Sequence, residues 1–317
     1  MSDKTVIHPS KQTGSPTRQK VENKVRLVLK PREKKREFVL NDDDYFTLAD
    51  LIHSQTGIVL KDHKKDMVYG RLSKRLRQFG MTSFGDYLHY LAGDNGPGEI
   101  GMLINAITTN LTRFFREPHH FDHLRDHVLP EILDLIKQGR QSRLRLWSAG
   151  CSSGEEPYSM AMCLDEALNK RPDQILDAKI LATDLDTNML ERGRAGRYRD
   201  QHLEHLPPEF QPYLSPAQGE DGYVQAQDIL RHYISFKQLN LLEKWPFSGP
   251  FDAIFCRNVM IYFDAGDKQR LISRLVEKLR PGGWLFIGHS ETILDMSPGL
   301  KLYGRTIYQK TQLDHGL

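Results

Sequence analysis

No segment of this 317-residue chain stays apolar over the roughly 20 residues that a membrane-spanning helix needs, which excludes a helical membrane protein. Cysteine is scarce: Cys151, Cys163 and Cys256 stand apart, without the spacing of zinc ligands or of a disulfide framework. Nor do the first residues carry an apolar signal segment. These absences predict a cytoplasmic protein without metal or disulfides. An excess of one charge is lacking too. The net formal charge is +3, and residues 1–37 hold eleven Lys or Arg against four Asp or Glu, an excess of seven that leaves the remainder at −4. A chain so nearly neutral outside its tail is a poor candidate for nucleic-acid binding.

The tail, residues 1–40, is rich in Ser, Thr, Pro and Lys and lacks periodic apolar positions, which predicts disorder. It reads either as a solvated leader or as a contact for an acidic partner or membrane surface. Beyond it the pattern turns helical. Phe46, Leu48, Leu51 and Ile52 predict one apolar face, and Val68, Leu72, Leu76 and Phe79 recur at three- and four-residue spacing until Gly80 ends the run. Residues 41–105 are therefore expected to form a small all-α domain. Its second helix sets Arg71, Lys74, Arg75 and Arg77 on or beside the exposed side. Such a run is either a solvated face or a dock for an acidic surface, and without interleaved aromatics an acidic protein fits as well as nucleic acid. The stretch AGDNGPG (92–98) reads as a chain-breaking linker.

The most informative segment is WSAGCSSGEEPY (147–158), followed by ILATDLD (180–186). An apolar strand breaks at small residues, a helix opens on two acids, and a second strand ends on Asp184 about one crossover later. Gly150 and Gly154 permit a tight turn and close approach to a ligand, and Ser152 and Ser153 are expected to cap the helix. Phosphate is disfavoured here, because Glu155 and Glu156 open the helix and no Lys follows the last glycine. A ligand with an ammonium group, a sulfonium and a ribose fits better: one carboxylate holds the amine and Asp184 accepts from the ribose hydroxyls. S-adenosylmethionine carries those groups. Cys151 in this loop is either a small filler or a nucleophile, with no evident His partner.

Ahead of this loop, residues 106–124 form a segment expected to contribute to the site, and Arg116 is placed to pair with a carboxylate of cofactor or substrate. Downstream, FDAIFC (251–256) is a buried-type strand running into Arg257, Asn258 and Tyr262, where strand ends line the ligand crevice. An Asn/Asp-Pro-Pro-Tyr turn, expected for nitrogen methylation of DNA or glutamine, is absent. Arg280-Pro-Gly-Gly283 reads as a turn before a strand over 284–288, and His289 at its end is either a general base or a structural histidine.

Taken together, residues 42–310 resemble the chemotaxis receptor glutamate O-methyltransferases, the CheR family. The resemblance rests on GIVLKDHKKDMVY (57–69), TTNLTRFFRE (108–117), SGEEPYS (153–159), NLLEK (240–244), FDAIFCRNVMIYFD (251–264) and GHSE (288–291). It implies an α/β, Rossmann-like methyltransferase domain over residues 125–317, with a small antiparallel β-subdomain inserted at about 200–236, behind the all-α domain. It further implies that Asn110, Thr112, Arg116, Glu156, Asp184, Asn240, Leu241, Arg257 and Asn258 contact S-adenosylmethionine, and that Arg116 and Tyr262 serve the reaction centre. Arg71, Lys74, Arg75 and Arg77 would meet the receptor's cytoplasmic helices, and a receptor C-terminal peptide is a second possible contact, at the β-subdomain. The expected assembly is a monomer. Two rival readings are a methyltransferase for another substrate, such as a pilus sensory protein or a small acid, and a non-catalytic cofactor sensor.

Overall fold

The computed structural model describes residues 36–171, 177–293 and 299–311. The basic tail thus lies almost wholly outside the described residues. Its expected end at residue 40 falls too late, since Phe38 and Leu40 are buried in the helical core. From Phe38 onward the chain forms one compact unit.

Helix α1 (Asp42–Thr56) starts where the side chain of Asn41 accepts from the Asp44 amide, at 2.6 Å, and carries three acids in its first turn, where the helix dipole favours them. Tyr45, Leu48 and Ile52 set its buried stripe. Phe46, expected on that stripe, is 50% exposed, because one residue past Tyr45 turns it about 100° away. Helix α2 (Lys65–Phe79) buries Val68, Leu72 and Leu76 and ends at Gly80 in the left-handed region, as expected. Helices α3 (Phe84–Ala92) and α4 (Gly96–Ile107) complete this layer. The expected linker is only a short turn: Gly96-Pro-Gly98 is the first turn of α4, where proline's missing N–H would have had no helical partner anyway.

The four cations of α2 do not share one environment. Lys74 and Arg77 are exposed, with Arg77 over the Phe38 ring. Arg71 and Arg75 flank the buried stripe and turn inward. Arg75 Nε donates to Glu99 Oε1 at 2.8 Å, and the Tyr87 hydroxyl donates to the same oxygen at 2.7 Å, with Glu99 only 5% exposed. Arg71 donates to the carbonyls of Ile107 and Thr108, the latter at 2.8 Å, and to the Thr109 hydroxyl at 3.0 Å.

The second layer system is a doubly wound sheet. After α5 (His119–His123), a π turn (Leu124–Val128) and α6 (Leu129–Lys137), the order is β1 (Arg143–Ala149), α7 (Glu155–Asn169), β2 (Asp177–Asp184), α8 (Thr187–Ala195), β3 (Arg197–Arg199), β4 (Leu214–Pro216), β5 (Tyr223–Ala226), α9 (Asp228–Tyr233), β6 (Ile234–Gln238), β7 (Phe251–Cys256), α10 (Ala265–Lys278), β8 (Leu279–Ile287), β9 (Leu300–Gly304) and β10 (Ile307–Lys310). The main sheet runs β6-β2-β1-β7-β8-β10-β9, parallel through β8 and closed by the antiparallel β9–β10 hairpin. Strand alternation divides its two faces. Leu144, Leu146, Ala253, Phe255, Trp284 and Phe286 pack on the α7 side, while Trp147, Ala149, Ile254, Cys256, Leu285 and Ile287 pack with α10 on the other.

Three local expectations need correction. The small antiparallel sheet is β3-β5-β4, and the end of the expected insert, residues 234–236, instead belongs to Ile234–Gln238, which pairs in parallel with β2 of the main sheet. Its apolar alternation suits either sheet; only the position of its partner decides. The expected turn at 280–283 is a bulge within β8, where pairing with β7 jumps from Phe251↔Leu279 to Ala253↔Trp284. Ser152 and Ser153 do not cap α7, whose N-cap is Gly154 at φ 100° without a side-chain bond.

Breaking the Arg75–Glu99 pair leaves a buried carboxylate without its cation, held only by the Tyr87 hydroxyl. Arg75→Ala should destabilise the protein by about 3 kcal/mol, read from urea unfolding followed by circular dichroism, and an unchanged midpoint would refute the assignment.

Candidate active site

The order of the sheet reverses between β1 and β7, the position where open α/β sheets bind ligands beyond their strand ends. A cavity of about 330 Å³ lies there. Asn110, Thr112, Arg116, Glu156, Asp184, Asn240, Leu241, Arg257, Asn258 and Tyr262 all line it, so the expected cofactor and reaction residues are brought together. Arg71, Lys74, Arg75 and Arg77 do not line it.

Close approach of the backbone is built into the β1 turn. Gly150 has φ 84°, and a Cβ there would stand 2.3 Å from Val259 Cγ2. The Ser152 amide donates to Asp184 Oδ2 at 2.7 Å, and the Asp186 amide to Asp184 Oδ1 at 2.9 Å, fixing the carboxylate at the end of β2. Burial pushes the Asp184 carboxyl up to about 6, against these amides, which favour its ionised form. Asp186 caps α8 and accepts from Asn110 Nδ2 and Thr108 Oγ1, each at 2.7 Å, which ties the segment after α4 to the rim.

Arg257 is the electrostatic centre. Its side chain is 2% exposed and lies 3.3 Å from Glu156 Oε2 and 3.5 Å from Glu117 Oε2, and its Nη2 donates to the Arg116 carbonyl. Burial raises the Glu156 carboxyl, while Arg257 and the Ser148 hydroxyl, 2.7 Å from Oε1, pull it back. Burial also opposes charge on Glu117, yet Arg257 and His289 outweigh it and hold that carboxyl below its ordinary range. Backbone strain is concentrated here: Phe115, Glu117, Ser152 and Asn258 have φ between 50° and 59°, a region non-glycine residues seldom occupy. Two of them bracket Arg116, whose Nη1 donates to the Leu111 carbonyl at 2.7 Å.

Several contributors were not singled out from the sequence. Ile58, Val59, Leu60, Lys64 and Met67 of the helical domain line the cavity, and the Val59 amide donates to the Tyr262 carbonyl at 2.9 Å. Gly57 permits this approach, since a Cβ there would lie 2.0 Å from Leu242 Cδ1. Glu291 accepts from the amides of Asn258 (2.9 Å), Gly288 (2.7 Å) and Ile261 (3.3 Å), clamping the β7 and β8 turns together. Their only sequence signal was membership of the GIVLKDHKKDMVY and GHSE blocks. His289 lies outside the cavity lining and contacts Glu117 Oε1 through Nδ1 at 3.0 Å. Cys151 is 1% exposed, and burial drives its thiol well above the ordinary range, the reverse of the exposed, low-pKa setting a nucleophilic thiol needs.

Comparison with known proteins fits this geometry. Residues 110–308 match "CheR methyltransferase, SAM binding domain", and residues 43–108 match "CheR methyltransferase, all-alpha domain". The chain belongs to the CheR methyltransferase family. Among its relatives, the Escherichia coli K12 chemotaxis protein methyltransferase is 45% identical over 85% of this chain and 91% of its own length. The Salmonella typhimurium protein of that name is 43% identical, covering 86% and 92%. Chemotaxis protein methyltransferase 2 of Pseudomonas aeruginosa is 41% identical, covering 86% and 95%.

A CheR-family enzyme uses S-adenosylmethionine, and the residues present suit it. Arg257 Nε and Nη1 make no hydrogen bond among the described residues, Nη1 facing Glu156 Oε2 only as an ion pair at 3.3 Å, and a guanidinium with donors to spare beside the cavity suits a ligand carboxylate. Glu156 beside them suits the amine, and Asp184 suits a ribose. Asp184 accepts best when ionised, so S-adenosylmethionine affinity measured by calorimetry should hold above pH about 7 and fall as pH drops through about 6. Asp184→Asn should bind weakly at every pH. A wild-type affinity flat down to pH about 5 would refute this role.

Proposed function

We propose that this enzyme transfers the methyl group of S-adenosylmethionine to glutamate side-chain carboxylates of methyl-accepting chemotaxis receptors, forming methyl esters. The observation that carries the proposal is a reaction end with cations and no uncommitted base. Lys64, Arg116 and Arg257 line the cavity, whereas its two carboxylates are engaged, Glu156 with Ser148 and Arg257, Asp184 with two backbone amides. No His or Cys lines it among the described residues. An acceptor that needs deprotonation is poorly served by such a site. A glutamate, ionised at neutral pH from a pKa near about 4.3, needs none.

The bound co-substrate supplies an electrophilic methyl group on a sulfonium. The protein's part is to bind, orient and exclude water. Glu156, Arg257 and Arg116 hold the zwitterionic methionyl end, and Asp184 the ribose. Asn240 and Leu241 flank the adenine, while Asn110, Thr112 and Asn258 complete the wall. Tyr262 and Arg116 orient the acceptor carboxylate, and bringing the reactants into a near-attack geometry removes several kcal/mol of barrier. Desolvating two opposite charges that neutralise each other in the reaction adds to this.

The receptor would approach over α2, whose outward cations are Lys74 and Arg77, while Arg71 and Arg75 serve by supporting that face from within. A receptor tail peptide would add to β3 or β4, the outer strands of the small sheet.

The test uses tritiated S-adenosylmethionine with receptor-bearing membranes. Base-labile label on the receptor is expected, with kcat level between pH about 7 and about 9; a tenfold rise per pH unit would reveal a general base and overturn the mechanism. Tyr262→Phe should lower kcat at least about tenfold while leaving cofactor affinity within about twofold. Base-stable label would indicate another acceptor, and no label a sensor.

A further inference from the structure

We propose that Val59, Leu111 and Ile261 form an apolar collar around the reacting end of the cavity, which selects glutamates flanked by aliphatic side chains. This rests on the reading of the acceptor as a protein glutamate. Leu111 is 80% exposed, Ile261 48% and Val59 37%, and all three line the cavity. None belongs to any of the three apolar cores or packs on their margins. Single exposed aliphatics are ordinary on a protein surface, but several along one cavity mouth mark a contact site.

Each is fixed by main chain to a residue of the reacting end. Arg116 donates to the Leu111 carbonyl at 2.7 Å, Val59 donates to the Tyr262 carbonyl at 2.9 Å, and Ile261 directly precedes Tyr262, its amide held by Glu291 at 3.3 Å. The three come from separate segments: the loop after α1, the segment before α5 and the turn after β7. Their side chains, by contrast, are left to water. An exposed cation, Lys64, lines the same cavity. The complementary occupant is an anion at the centre with aliphatic groups around it, as on a protein segment that carries aliphatic neighbours beside its glutamate. A free small acid would leave the collar wet. Covering the collar also strips water from the carboxylate, which the reaction requires.

The test compares Leu111→Ser, Val59→Ser and Leu111→Met with wild type, using tritiated S-adenosylmethionine and membranes carrying one methyl-accepting chemoreceptor. Receptor KM should rise roughly tenfold in Leu111→Ser and severalfold in Val59→Ser, whereas Leu111→Met stays near wild type. Cofactor affinity by calorimetry, which also reports folding, should stay within about twofold in all three. Unchanged receptor KM in both serine variants, or a parallel loss of cofactor affinity, would overturn the collar. Wild-type enzyme that puts no base-labile label on the receptor would instead overturn the glutamate reading on which it rests.

Discussion

Arg257 leaves the end of β7 for the interior, and its guanidinium has almost no access to water. A cation so placed is tolerable only among acceptors. Glu117 and the Arg116 carbonyl arrive from the segment before α5, and Glu156 from the first turn of α7. One buried charge thereby joins three separate stretches of chain at the point where the sheet reverses direction. The strained backbone at Phe115 and Glu117 is explained by the same demand, because the kink is what delivers both the carbonyl and the carboxylate to the guanidinium.

Much of the cavity's lining is legible in the sequence. The placement of Asp184 and Glu156 at the cavity could be read because it follows from local order, strand end then helix start, which the chain writes consecutively. Arg257, Asn258 and Tyr262 followed from the strand that precedes them. Legibility failed where the deciding partner is distant. Glu117 and Glu291 look like ordinary surface acids in sequence, and only the fold shows that one holds a buried arginine and the other three backbone amides. The loop at Ile58 to Leu60 gave no sign of reaching the cavity, since its approach depends on Gly57 lying against Leu242.

The cations of α2 teach a related lesson. Helical spacing places Arg71 and Arg75 beside the buried stripe, but periodicity cannot say whether a long side chain at the edge points outward or inward. Glu99 settles Arg75, and the backbone carbonyls at the end of α4, which lack helical partners, settle Arg71. Ile234–Gln238 is the strand equivalent: alternation identified a strand without choosing its sheet.

Arg71 deserves a mechanical description. Its guanidinium spans from α2 to the carbonyls of Ile107 and Thr108, two residues ahead of Asn110 at the cofactor wall. It acts as a strut between α2 and the segment that carries Asn110 to the cavity. A displacement of α2 would therefore be felt first at the main chain that carries Asn110.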